Sequence, residues 1–79
     1  MSQAELIRRG QITDKRQARL KSVISARTAL GALVNAGVYA QDKRVEDVNS
    51  AELTAHLETF IEHQEVIKQL DDEIRGLEY

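Results

Sequence analysis

The chain has 79 residues, with 11 basic side chains against 13 acidic ones, no cysteine, no proline, and aromatic residues limited to Tyr39, Phe60 and Tyr79. That composition excludes disulfide staples, thiolate metal sites and cysteine nucleophiles, and it suits long helices better than sheets. We therefore expect a single all-α domain over residues 1–79, close to the lower size limit for one self-sufficient core, so that oligomerisation would stabilise it.

The net charge of −2 conceals a division. Residues 1–40 carry seven bases against Glu5 and Asp14, a net +5, whereas residues 41–79 carry four bases against eleven acids, a net −7. A basic helix folded back on an acidic one neutralises itself without a partner. Binding of nucleic acid through the basic segment 8–27 is the alternative use of the same charges.

In chain order, Ser2 and Glu5 have the spacing of a capping box, which opens a short helix over about 3–9. Gly10 is expected to end it, and Thr13 with Asp14 to start the next helix. This second helix, about 14–36, contains the segment 22–37, where Arg27 is the only charge. On a helical projection Leu20, Val23, Ile24, Leu30, Leu33 and Val34 fall on one side and form a core stripe. Ser25, Ala29, Ala32 and Ala36 fall on another, where a solvated helix would carry Lys or Glu. These small residues are the candidate dimer interface, since they let another backbone approach closely. Arg27, inside the stripe, is read as a snorkelling side chain with a wet guanidinium.

The low-charge segment falls short of the roughly 20 apolar residues of a membrane span, and no signal-peptide pattern opens the chain, so a cytoplasmic protein without membrane contact is expected. Gly37 is expected to terminate the second helix in the left-handed conformation.

Residues 38–48 have no helical period and read as a connector containing the turn-like Gln41-Asp42-Lys43-Arg44. Lys43-Arg44-Val45-Glu46, followed by Ser50-Ala51-Glu52-Leu53 opening a helix, resembles the small phage head-to-tail joining proteins of the lambda W type. The resemblance spans about residues 27–61. It implies a helix, a short β-hairpin and a helix, and a structural role in a phage particle.

The last helix, about 50–77, starts with a second capping box, Asn49 and Glu52, and a hydrophobic staple of Val48 on Leu53. Leu53, His56, Phe60, His63, Ile67, Leu70, Ile74 and Leu77 then alternate at steps of three and four, a heptad seam that calls for a coiled-coil-like partner helix. The expected shape is an elongated antiparallel helical hairpin, with Leu30, Val34, Phe60 and Ile67 as principal core residues.

His56 and His63 are two imidazoles without a third ligand nearby, so no metal or cofactor is expected. No nucleophile, base and acid are arranged as a catalytic set, and no glycine loop cradles phosphate, so no enzyme is expected either. Arg8, Arg9, Arg16, Arg19, Glu58, Glu62 and Glu65 are candidate partner-binding charges. The expectation drawn from all this is a homodimeric, non-enzymatic interaction module, such as an adaptor, chaperone or inhibitor, that occupies a surface of a larger protein.

Overall fold

The computed structural model describes residues 2–78. It is an antiparallel hairpin of two long helices, α1 (Gln3–Gln41) and α2 (Ser50–Glu78), joined by a connector with one 3-10 turn, Val45–Asp47. The hairpin is elongated, 64 × 14 × 13 Å, and no strand occurs among the described residues. Both capping boxes form on their acceptor side: Ser2 Oγ accepts from Glu5 N at 3.2 Å, and Asn49 Oδ1 accepts from Glu52 N at 3.1 Å.

Two expected breaks in α1 are absent. The helix runs through Gly10 and Gly37, and no glycine among the described residues has a positive φ. At Gly10, a separate seven-residue helix would need a second nucleation, which outweighs the roughly 1 kcal/mol that glycine costs in a helix interior. At Gly37, continuing the helix keeps Ala40 on the face turned to α2. There Ala36, Tyr39, Ala40, Val48 and Leu53 line one hollow; a helix stopped at residue 36 would leave the start of α2 unpaired. The β-hairpin implied by the phage-protein resemblance is also missing, because Val45 and Glu46 lie in the 3-10 turn.

Three ion pairs fix the register at the open end: Lys15 Nζ to Glu73 Oε2 at 2.8 Å, Arg16 to Glu78 Oε1 at 2.9 Å, and Arg19 Nε to Asp71 Oδ1 at 2.6 Å. The basic helix does fold onto the acidic one. In this register α2 reaches only to the level of about residue 14 of α1, so the first ten or so residues of α1, roughly 15 Å of helix, extend past it. Residues 2–11 are accordingly all exposed, and Ile12 is the first half-buried position. Each of the three pairs is partly solvated, so each contributes at most about 1 kcal/mol. Asp71→Asn should therefore lower the unfolding free energy by about 0.5–1 kcal/mol in dilute buffer. The loss should shrink in molar salt, as urea melts at two ionic strengths would show.

Gly10 offers a second test. No atom lies within 4 Å of a Cβ added there, so Gly10→Ala should raise helix stability by up to about 1 kcal/mol, measurable as increased ellipticity at 222 nm near the melting midpoint.

Candidate docking surface

The half-buried and buried positions of α1 include Ile12, Lys15, Arg19, Ser22, Ala26, Ala29, Leu33, Ala36 and Ala40. They recur at steps of three and four, so α1 has a heptad seam of its own. In the register set by the ion pairs this seam meets that of α2 with small residues level with large ones at three levels, Ala36 with His56, Ala29 with His63, and Ala26 with Ile67, while Leu33 lies level with Phe60. Small residues on one helix accept the bulk of the other, and the two backbones approach closely. The described residues classed as buried are Ala26 at 6%, Ala29 at 7% and Ile74 at 9% exposure.

The small face is thus where the two helices of one chain meet, and this changes the reading of the candidate dimer interface. Ala29 is buried by α2 of the same chain, Ser25 and Ala32 are half-buried beside it, and Ala36 lies by Leu53. The covering surface that the small residues call for is α2, so they are not a free face awaiting a second chain.

The expected core stripe is divided: Val23 and Leu33 are half-buried, Leu33 on the seam facing α2, and the remainder is turned outward. Leu20, Ile24, Leu30, Val34 and Val38 are 43–59% exposed, and Arg27 among them is exposed as well. Leu30 and Val34 are therefore not core residues of the single hairpin. Both helices display apolar side chains on one flank: helical period and antiparallel pairing put Leu57 and Ile61 of α2, also exposed, on the same side as Leu30 and Val34. Hydropathy of the whole segment made both faces of α1 look buried. The signal that separates them is size complementarity with the α2 seam, which is small on the inner face and absent on the outer one.

The α2 seam lies where the sequence puts it: Leu53, His56, Phe60, His63, Ile67, Leu70 and Leu77 are half-buried and Ile74 is buried. His56 Nε2 is 3.9 Å from Glu52 Oε1. Together with His63, Ser25, Thr28, Ala29, Ala32 and Thr59 it lines an open groove along the other flank, whose outer rim is Ile24 of the stripe. No cluster of three or more His, Cys, Asp or Glu that would hold a metal occurs among the described residues. Thr28 donates its hydroxyl to the Ile24 carbonyl at 2.9 Å, and Thr59 to that of Ala55 at 3.0 Å, so these hydroxyls are satisfied within their own helices.

The candidate partner-binding charges divide in two. Arg16 and Arg19 are engaged by α2, while Arg8 and Arg9 are exposed on the projecting end of α1 and Glu58, Glu62 and Glu65 on the outside of α2.

Because α1 continues past Gly37, its low-charge run extends over residues 22–41, about 30 Å of helix with Arg27 as its one charge. By length and composition alone α1 is long and apolar enough to cross a membrane, which the shorter run 22–37 was not expected to be. Comparison with protein-family models, with curated proteins and with solved structures returned no match.

Proposed function

We propose that this chain is a non-enzymatic helical interaction module that acts by seating the outer apolar stripe of α1 on another protein surface. The observation that carries the reading is the stripe itself: Leu20, Ile24, Leu30, Val34 and Val38 stand 43–59% exposed along one helix of a chain whose own pairing buries little else. An apolar row of that length, interrupted only by Arg27 and Gly31, marks an interaction site. Adaptors, chaperones, inhibitors and the joining components of a phage particle all work by such occupancy, without a reaction.

Nucleic acid is the weaker reading, because the basic side chains nearest the middle of the segment, Lys15, Arg16 and Arg19, already face carboxylates of α2. A phosphate-dominated complex would weaken steeply with salt through counterion release, whereas apolar docking would not.

The deciding experiment compares the parent with a Leu20→Gln, Ile24→Gln, Val34→Gln variant, since glutamine keeps helix propensity while removing apolar surface. We expect both to be helical by circular dichroism, and the variant alone to lose protein binding. Equal protein binding by both would refute the reading, and flotation of the parent alone with lipid vesicles would assign the stripe to a membrane surface instead.

A further inference from the structure

We infer that the surface seated on the α1 stripe is a second copy of this chain, docked antiparallel about a two-fold axis so that Arg27 of each copy lies over Gly31 of the other. The inference rests on the reading of the stripe as a protein-docking surface and specifies its occupant.

The first ground is area. The chain exposes 6196 Å² at a mass of 8.9 kDa, whereas a folded monomer of that mass is expected to expose about 4,800 Å². The rod-shaped hairpin thus leaves about 1,400 Å² more surface in water than a compact chain would, enough to supply the roughly 800 Å² per partner of a standard interface.

The second ground is the arrangement of the stripe. Leu20, Ile24, Arg27, Gly31, Val34 and Val38 alternate at steps of four and three, so the outer face of α1 is itself a coiled-coil seam. The spacing of the seam is symmetric about its centre, with two apolar positions at either end. An antiparallel copy sets Leu20 against Val38, Ile24 against Val34, and Arg27 against Gly31. Every apolar position meets an apolar one, and the one long charged side chain meets the one position without a side chain. Sliding the copy by a heptad places Arg27 on Ile24 or on Val38, and a parallel copy places it on Arg27. Both arrangements press a guanidinium against an apolar side chain or against its like, while the first lets its stem lie over the glycine and its head reach solvent.

Gly31 is compatible with this register. As at Gly10, Gly37 and Gly76, nothing within the single chain lies within 4 Å of where its Cβ would be; what sets Gly31 apart is its place on the outer seam, one helical step from Arg27.

The chain has no cysteine, so single-cysteine variants report the register directly. Ile24→Cys and Val34→Cys chains are to be mixed in equal amounts under mild oxidation. The expected product is the mixed disulfide, in about tenfold excess over either self-disulfide, because like positions lie well beyond the reach of an S–S bond in this register. Sedimentation equilibrium of the parent should give twice the chain mass. Predominant self-disulfides would overturn the antiparallel register. A parent that stays monomeric up to about 100 μM, a concentration at which even a micromolar dimer would be formed, would overturn the second copy as occupant. The docking reading itself would survive that result if the glutamine variant still lost binding to another protein, and fall if it did not.

Discussion

Ala29→Glu is expected to abolish the folded hairpin rather than to release a folded monomer. Ala29 is 7% exposed and lies between the helices beside His56, Thr59 and His63. A carboxylate placed there must either lose its hydration, at several kcal/mol, or push α2 away. Either cost is comparable with the whole stability of a small domain. Ala32→Glu is the control, because Ala32 is half-buried at the open edge of the same groove, where a longer side chain reaches water. The expected result is loss of the cooperative melt at 222 nm for Ala29→Glu and a melt within about 1 kcal/mol of the parent for Ala32→Glu, whose carboxylate stays hydrated at the groove edge. Two variants with the same melt would mean that α2 does not cover this part of α1.

The contrast between Ala29 and Ala32 shows where the sequence was informative. The start of α2 could be read to the residue, because Asn49 with Glu52 and Val48 with Leu53 are independent local signals at the same point. The α2 seam could be read because its large residues follow one period. Pairing of the basic half with the acidic half followed from charge alone. The extent of α1 did not follow from local signals, because Gly10 and Gly37 favour helix ends only as free choices. Here the cost of a new nucleus at one glycine, and the need of Ala40 to meet Leu53 beyond the other, outweigh the preference.

The faces of α1 were exchanged for a related reason. Hydrophobicity ranks Leu30 and Val34 above Ala26 and Ala29 as core residues, but what a two-helix interface selects is fit. A partner seam made of Phe60, His63, Ile67 and Leu70 already supplies the bulk, and a second row of leucines against it would hold the helices apart. Small residues at steps of three and four bring the backbones close and gain dispersion along their whole length. Leu20, Ile24, Leu30 and Val34 are apolar for a surface that one hairpin does not contain. Arg27, whose position within the stripe was foreseen, fits this account: it is exposed in the hairpin, and it lies on the seam assigned to a second copy.

The same distinction sets the order of effects in truncation. Ile74 is the one large side chain classed as buried among the described residues, at 9% exposure, so Ile74→Ala is expected to cost about 2–5 kcal/mol at any protein concentration, since the cavity it opens lies within one chain. Leu30 is 43% exposed in the hairpin, and Leu30→Ala should cost no more than about 1 kcal/mol in dilute solution, where only its remaining burial is lost. At high concentration the cost should rise, because a docked second copy stabilises the parent by mass action and the truncated stripe binds it less well. Thermal melts of parent, Ile74→Ala and Leu30→Ala at two concentrations a hundredfold apart separate these terms, each hundredfold being worth about 2.7 kcal/mol of linkage at saturation. A Leu30→Ala deficit that is as large as that of Ile74→Ala and the same at both concentrations would place Leu30 in the core of the single chain, and would return the outer stripe of α1 to the interior.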